Sequence, residues 1–180
     1  MRTSNRTRIL DAALRVINRD GVRAVTYESV AAESGLTRGG LLYHFPSREA
    51  LLQGIDEHLV QGWEASLEAV LGKSAAEATA LERYTTFVRV SAQSATRAEL
   101  MFMLESVAPA ERDNPWAEVM ARWAPAPPPV GAADAAALDD FVARLAADGL
   151  WIYEAMYAGQ LDPALRQKIA ERITGLLAER

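Results

Sequence analysis

Arginine side chains are concentrated at the start of this 180-residue chain, where their chemistry suits phosphate. The first 52 residues hold eight arginines against five acidic residues, whereas residues 53–180 hold eleven basic and nineteen acidic side chains. A guanidinium bonds phosphate oxygens, and it can bond the edge of a guanine through two hydrogen bonds. The formal net charge of -5 excludes a protein that coats nucleic acid with its whole surface. The pattern indicates a basic N-terminal segment on an acidic body.

Other reactive chemistry is scarce in this sequence. The chain has two histidines and no cysteine, so it offers no disulfide, thiolate ligand or cysteine nucleophile. It has no glycine-rich phosphate loop and no His and Glu spacing that would hold a metal. His58 has no ligand partner near it in sequence, so we expect it only to pack or to be exposed. We therefore expect no catalytic residues, no metal and no cofactor.

Three residues have the spacing of a helix-turn-helix. This motif needs a small residue where its two helices meet, a glycine in the turn and an apolar residue that anchors the second helix. Ala31, Gly35 and Leu41 fill these roles at separations of four and six residues, and Val30 and Leu36 complete a small core. Each feature is common alone. Together they make DNA binding the leading hypothesis.

Four helices are expected to position this motif. Thr26, Thr37 and Ser47 can each cap a helix, Gly35 supplies the positive φ of the turn, and Pro46 separates the third helix from the fourth. The predicted helices are 6–19, a second from Thr26 to Gly35, a third from Thr37 to His44, and a fourth from Ser47 to Leu71.

The rest of the chain is also expected to be helical, because apolar residues recur at helical spacing and no strand pattern intervenes. The predicted segments are Ser74–Thr96, Glu99–Val107, Asn114–Trp123, Asp134–Tyr157 and Pro163–Ala178. The proline-rich sequence at 125–131 cannot be helical and is expected to be a linker. The predicted fold class is therefore all-α.

The sequence TYESVAAESGLTRGGLLYHFPSREAL at 26–51 resembles the DNA-binding domain of the TetR family of transcriptional regulators. The similarity covers about residues 6–52 and is most specific in LYHFPSREAL at 42–51. It implies an N-terminal three-helix DNA-binding domain with a helix-turn-helix, at 1–50. This domain is expected to be joined to a larger α-helical ligand-binding and dimerisation domain, at 51–180.

The chemistry of the residues and the resemblance together predict a set of DNA contacts. Thr26 begins a helix whose N-terminus suits phosphate. Thr37, Arg38 and Gly39 begin the recognition helix, whose N-terminal end reaches base edges, and Arg38 is the candidate for base readout. The resemblance implies phosphate contacts for Tyr43, His44 and Arg48. The predicted DNA-binding residues are Thr26, Tyr27, Thr37, Arg38, Gly39, Leu42, Tyr43, His44 and Arg48.

Structural alternatives stay open for several of these residues. Tyr43 could instead cover the small core, and His44 could be an ordinary packed or surface histidine. Leu42 stands where the family usually has an aromatic residue, which leaves contact with a thymine methyl group. The Gly39-Gly40 pair costs the third helix about 1 kcal/mol per glycine, so we expect that helix to become firmer on DNA. The N-terminal arginines are expected to form a solvated arm, with contact to phosphate or the minor groove as the alternative; they are Arg2, Arg6 and Arg8.

The aromatic and methionine content of the body suits an apolar cavity, although most of it must be core. The resemblance implies that a small, largely apolar effector binds there. The predicted effector-binding residues are Trp63, Phe87, Ser91, Met103, Trp116, Met120, Trp123 and Trp151.

The resemblance also implies a homodimer in which the last two helices of each copy form a four-helix bundle. The predicted interface residues are Phe141, Leu145, Ile152, Leu165, Ile169 and Ile173. Such a dimer is expected to repress transcription from a pseudo-palindromic double-stranded operator until the effector releases it. The alternative is a regulator without a small-molecule ligand, which acts through a protein partner or as an activator. No stretch approaches a membrane span, so we expect a cytoplasmic protein without a membrane partner.

Overall fold

The computed structural model describes residues 4–93, 96–105, 115–131, 134–157 and 161–178, and the regular structure in those ranges is helical. The all-α fold class predicted from the sequence is confirmed. The helices are α1 (Asn5–Asp20), α2 (Tyr27–Ser34), α3 (Arg38–His44), α4 (Arg48–Leu71), α5 (Ala80–Ser91), α6 (Arg97–Glu105), α7 (Pro115–Trp123), α8 (Ala135–Tyr157) and α9 (Pro163–Ala178). Single 3₁₀ turns lie at Val22–Ala24 and Ala75–Glu77.

The ends of α2, α3 and α4 follow from the capping residues that the sequence indicated. The Thr26 hydroxyl accepts from the Ser29 amide at 3.1 Å, and the Thr37 hydroxyl accepts from the Gly40 amide at 3.1 Å. Ser47 accepts in the same way from Ala50. Gly35 ends α2 with φ of 69°, a conformation that costs glycine no steric strain. The short helices are therefore set by local chemistry.

The fifth helix begins and ends inside the predicted segment. Ser74 caps only the 3₁₀ turn, through Glu77, and a second capping box formed by Thr79 and Glu82 starts α5 at Ala80. The helix ends at Ser91 rather than at Thr96. The predicted Ser74–Thr96 helix is therefore too long at both ends, and the two successive capping boxes account for its later start.

The later helices lie close to their predicted positions. Helix α6 covers Arg97–Glu105, and the predicted end of that segment at 106–107 lies outside the described residues, as does Asn114. Residues 125–131 are not helical, as the prolines predict. Asp134 accepts from the amide of Ala137 at 2.8 Å and so acts as the cap of α8. Helix α9 has the predicted bounds.

The chain divides into two compact units. Unit 1 contains the described residues of Met1–Gln61 and of Thr96–Asp113. Its core is the apolar face of α1, with Ile9, Val16 and Ile17 fully buried, and α1 packs against α2 and α6. The Asn18 side chain accepts from the Ala98 amide at 2.8 Å, which fixes the start of α6 on α1.

Unit 2 contains the described residues of Gly62–Ala95 and of Asn114–Arg180. Helices α5, α8 and α9 pack against one another, and α7 packs on α5. The functional boundary predicted between residues 50 and 51 stays a prediction. By packing, α4 as far as Gln61 belongs to unit 1, and the rest of α4 belongs to unit 2.

None of the helices in the described ranges has both the length and the apolar character needed to cross a membrane.

Candidate DNA-binding surface and effector region

The helix-turn-helix residues form the small core that holds α3 in place. Val30 and Leu41 are fully buried, and Phe45 closes the core after the last turn of α3. Ala31 and Leu36 are half-buried beside them. The motif inferred from spacing is therefore assembled as a packed unit, and α3 rests on it by one face only.

The other face of α3 is exposed and carries the predicted DNA contacts. Arg38, Gly39 and Leu42 are exposed, and Tyr43 is 85% exposed, so Tyr43 does not cover the core. A Cβ built on Gly39 would meet no atom within 4 Å, which leaves this part of the helix free of side-chain bulk. A tyrosine side chain this exposed is suited to contact a partner, because it offers both a ring and a hydroxyl.

The guanidinium of Arg38 is held only weakly. It lies 3.3 Å from the carboxylate of Glu28, and both side chains are about two-thirds exposed. A pair of this kind contributes little to stability because water screens it. Arg38 can therefore exchange Glu28 for another acceptor at low cost.

Tyr43 and His44 contact each other at the end of α3. Their rings meet edge to face, with centroids 5.1 Å apart. His44 is half-buried, while Tyr43 extends into solvent. The pair therefore has one packed member and one exposed member, as expected if His44 orients the tyrosine.

Arg48 and Tyr27 bond the backbone of unit 1, which the sequence did not reveal. The Arg48 guanidinium donates to the Val25 carbonyl at 3.1 Å and to the Val22 carbonyl at 3.4 Å. The Tyr27 hydroxyl donates to the Phe45 carbonyl at 2.7 Å. Burial raises the pKa of Tyr27, and the Glu49 carboxylate adds to the rise. Both residues tie together the elements around α3, whatever contacts they also make with DNA.

The arginines of α1 are engaged within unit 1, which corrects the expectation of a solvated arm. Arg6 pairs with Glu57 at 3.4 Å, and its guanidinium lies 5.3 Å from the centre of the Phe45 ring. Arg8 donates to the Ser34 carbonyl at 2.9 Å. Arg2 lies outside the described residues. The partners of Arg6 and Arg8 lie 51 and 26 residues away in the chain, so the sequence alone does not indicate them.

His58 also has a partner that the sequence did not indicate. Its Nε2 atom lies 3.1 Å from a carboxylate oxygen of Asp11, so that it joins α4 to α1. Among the described residues no group of three or more His, Asp or Glu side chains is arranged to hold a metal.

Three of the predicted effector residues form one aromatic cluster in unit 2. Trp63 meets Phe87 edge to face at 5.5 Å between centroids, and it meets Trp116 in the same way at 6.3 Å. All three side chains are buried. The rings therefore pack against one another, and each pair has the geometry that aromatic quadrupoles favour.

A carboxylate joins α4 to α7 beside this cluster. Glu64 accepts two hydrogen bonds from Arg122, at 2.9 and 2.8 Å, and a third from the indole of Trp123 at 3.0 Å. Arg122 lowers the pKa of Glu64, partial burial opposes this, and the Trp123 bond adds to the lowering. Trp123, a predicted effector residue, is fully buried and held by this bond.

The remaining predicted effector residues are dispersed. Ser91 is buried on α5, and Met120 and Trp151 are half-buried on α7 and α8. Met103 lies on α6, which belongs to unit 1, whereas the other seven residues belong to unit 2. One groove of unit 2 lies elsewhere. It is lined by Ala92, Gln93, Pro163, Arg166 and Gln167, none of which the sequence singled out.

The predicted dimer residues differ in exposure. Leu145, Ile152 and Leu165 are exposed, and Phe141 and Ile169 are half-buried. Ile173 is only 6% exposed and belongs to the core of its own unit, which its helical periodicity alone could not reveal.

Helix α8 presents an exposed apolar seam, of which only Leu145 and Ile152 are interface residues predicted from the sequence. Its exposed residues follow one another at alternating steps of four and three, the spacing of a coiled-coil seam. They are Leu138, Val142, Leu145, Ile152 and Met156, with Gly149 at the remaining seam position. The seam is the longest exposed apolar stripe among the described helices of unit 2.

Two family models match this sequence. Residues 9–55 match the one described as bacterial regulatory proteins, tetR family, and residues 79–178 match the one described as tetracyclin repressor-like, C-terminal domain. Among curated proteins, the chain is 29% identical over 100 residues to the HTH-type transcriptional regulator RutR of Escherichia coli strain K12, covering 56% of this chain and 47% of that protein. The chain thus spans about half the length of the curated relatives it matches.

Solved structures share the fold. One, described as a TetR-family transcriptional regulator from Rhodococcus sp., is 18% identical with a TM-score of 0.69, and the match covers 98% of each chain. Another, a transcriptional regulator from Saccharomonospora viridis in complex with choline, is 22% identical with a TM-score of 0.65, covering 97% of this chain and 96% of that one.

Proposed function

The chain belongs to the TetR family of bacterial regulatory proteins, and from this premise we propose that it is a DNA-binding transcriptional regulator that acts as a repressor. The observation that carries the proposal is the exposed face of α3. Tyr43 projects from a helix whose other face is anchored by Leu41, and Arg38 lies at the N-terminal end. The N-terminal residues of a recognition helix are those that reach base edges in the major groove.

We assign the DNA contacts to two classes. Arg38 reads a base edge, since it can leave Glu28 and bond a guanine bidentately. Thr26, Tyr43 and His44 meet phosphates and set the position of the protein without selecting sequence, and Thr37 lies with Arg38 at the end of α3 that reaches base edges. Gly39 and Leu42 complete the surface that faces the groove. Arg48 and Tyr27 act mainly by supporting it, because their polar atoms bond backbone carbonyls of unit 1.

We propose that a homodimer binds the operator. The seam of α8, with Leu165 of α9, is the surface that supports this proposal, because exposed apolar stripes at this spacing pair with their copies. Phe141, Leu145, Ile152 and Ile169 remain proposed interface residues. A two-fold dimer presents two recognition helices about 34–36 Å apart, which calls for a pseudo-palindromic site.

Release by a small molecule is the proposed mode of regulation. The aromatic cluster around Trp63 supports an effector with apolar surface, and the related structure with choline suggests that organic cations be included, since aromatic faces attract them. Glu64 of α4 bonds Arg122 of α7, so that a shift of α7 would also displace α4. An effector acts only through its different affinity for the two states.

The test of DNA binding is footprinting on the DNA that flanks the gene of this protein. The expected result is protection of one pseudo-palindromic site that survives an excess of random competitor duplex at moderate ionic strength. Folded protein that shows no preference for any duplex sequence would refute the proposal.

A second candidate is a regulator without a small-molecule ligand, which recruits a protein partner or activates transcription. The close packing of Trp63, Phe87 and Trp116 favours this candidate, because a ligand could enter the cluster only by separating rings that stabilise one another. A thermal-shift screen with apolar and cationic compounds, followed by operator release, separates the two. Stabilisation with release supports the effector, whereas a response to none of the compounds supports the partner.

A further inference from the structure

The arginines of residues 4–61 are bonded to other groups of the protein, with one exception. Six of the seven have a hydrogen-bond or ion-pair partner among the described residues. Those six are Arg6, Arg8, Arg15, Arg19, Arg38 and Arg48. The seventh, Arg23, is exposed, and its guanidinium has no such partner within the described ranges. Its charge is therefore free to bond another molecule.

The carboxylates nearest to Arg23 in sequence are engaged elsewhere. They belong to Asp20 and Glu28. Asp20 pairs with Arg19 at 2.9 Å, and Glu28 pairs with Arg38 at 3.3 Å. An exposed guanidinium without a carboxylate can bond a phosphate directly, because no ion pair within the protein has to be broken first.

The backbone that carries Arg23 is held on two sides. Arg23 is the middle residue of the 3₁₀ turn at 22–24. Arg48, at the start of α4, donates to the carbonyl that precedes Arg23 and to the one that ends the turn. The Ser29 hydroxyl of α2 donates to the Ala24 carbonyl at 2.7 Å. These bonds fix the turn to α2 and α4, so a contact through Arg23 requires little ordering of the backbone.

The turn lies at the start of the first helix of the helix-turn-helix motif. Thr26 caps that helix and is a proposed phosphate contact. It follows Arg23 by three residues, which span at most about 11 Å even when fully extended. When this motif binds DNA, its first helix crosses the backbone while its second enters the major groove. A phosphate is therefore the DNA group that lies within reach of Arg23.

We propose that Arg23 bonds a phosphate of the operator backbone and extends the DNA-binding surface beyond α2 and α3. This contact rests on the proposed function. It adds affinity for any duplex and no sequence preference, because the phosphates are the same in every sequence. In a two-fold dimer the contact occurs once in each protomer.

The experiment measures how DNA binding by the full chain depends on salt. Fluorescence anisotropy follows binding to the footprinted operator and to a random duplex of the same length, between about 50 and 200 mM salt. Each phosphate contact contributes about -0.9 to the slope of log K against log salt. Arg23→Gln is expected to make the slope shallower by about 0.9 per protomer on both duplexes, and to weaken binding to both by about tenfold.

Two further variants separate a phosphate contact from other roles of Arg23. Arg23→Lys keeps the charge and should keep the wild-type slope, because lysine also binds phosphate. Arg89→Gln is the matched control, since it removes the same charge from an exposed arginine of α5 in unit 2. It should leave both the slope and the affinity unchanged.

Thermal unfolding checks that the effect of Arg23→Gln is on binding. The variant should unfold at the wild-type temperature, because the Arg23 side chain has no partner to lose in the part of the chain that the structure describes.

The proposal is overturned if Arg23→Gln keeps the wild-type slope, which would leave Arg23 a solvated surface residue. Weakening of operator binding alone would also overturn it, since a base contact behaves in that way. So would an Arg23→Lys protein that binds as weakly as Arg23→Gln.

The same measurements distinguish this contact from the proposed function. Wild-type protein that shows no preference for any duplex sequence would count against the regulatory function, while a shallower slope for Arg23→Gln on the random duplex would still support the phosphate contact. An operator preference with an unchanged slope for Arg23→Gln would count against this contact alone.

Discussion

Arg38 is the residue on which sequence preference depends in this proposal. Its guanidinium is exposed at the start of α3 and pairs only with the exposed Glu28. Arg38→Ala is expected to cost about 1–3 kcal/mol against the preferred operator and to leave affinity for random DNA nearly unchanged. Competition gel shifts with operator variants measure this.

The control for Arg38 is Glu28→Gln, which removes the partner and keeps the arginine. We expect it to retain the preference, because the exposed pair contributes little. Equal weakening on all sequences by Arg38→Ala would assign the residue to phosphate contact instead.

Glu64 is the residue whose ionisation stabilises the contact between α4 and α7. Because Arg122 lowers its pKa in the folded state, the stabilisation is present above the unfolded value of about 4.5 and is lost as the pH falls through the lower folded value. Glu64→Gln should reduce the free energy of unfolding by about 1–2 kcal/mol at pH 7, and this difference should shrink as the pH falls below about 4.5 and through the lower folded value.

Denaturant unfolding at a series of pH values measures the effect of Glu64→Gln. Asp139→Asn is the control, since Asp139 is an exposed carboxylate of α8 that does not act on Glu64 or Arg122. A difference between wild type and Glu64→Gln that stays constant down to pH 3 would show that the carboxylate charge is not its source.

At the scale of the element, α4 contains two glycines with opposite requirements. A Cβ on Gly54 would lie 2.5 Å from the Phe45 ring, whereas a Cβ on Gly62 would meet nothing within 4 Å. Gly54→Ala should therefore destabilise the protein by about 1–3 kcal/mol through overpacking. Gly62→Ala should stabilise it by about 1 kcal/mol, because alanine is the better helix former.

Thermal and denaturant unfolding of these two variants test how closely α4 approaches Phe45. Because both variants make the same glycine-to-alanine change on α4, each serves as the control for the other. If both variants were stabilised, the contact that holds α4 against the end of α3 would be looser than the distance implies.

At the scale of the whole molecule, the seam of α8 is proposed to join two copies. Leu145 is exposed at the middle of the seam. Leu145→Glu should give a folded monomer that loses operator binding, because a two-fold dimer brings like charges together at the seam. Sedimentation velocity and gel shifts measure both effects.

Leu81→Glu is the control for the seam, since Leu81 is an exposed apolar residue of α5 and not part of the seam. It should leave both dimer and operator binding intact. A Leu145→Glu protein that still sediments as a dimer would remove the seam from the interface.

The local structure of the chain was determined by the sequence alone. Thr26, Gly35 and Thr37 set the ends of α2 and α3 through bonds to residues no more than four positions away. The helix-turn-helix spacing and the apolar periodicity follow from the same short range. The two capping boxes that divide 74–91 are also legible in the sequence, as Ser74 and Thr79 are each followed by Glu three residues later.

Only the tertiary structure decided which face of each helix meets which neighbour. Arg48 bonds Val22 and Val25, Glu154 meets Arg166, and Ile173 turns into its own core rather than to the surface. Periodicity gives an apolar stripe but not its partner, because a stripe wide enough for two contacts can be buried inside a subunit or between subunits. Those choices arise from packing between residues that are far apart in the chain.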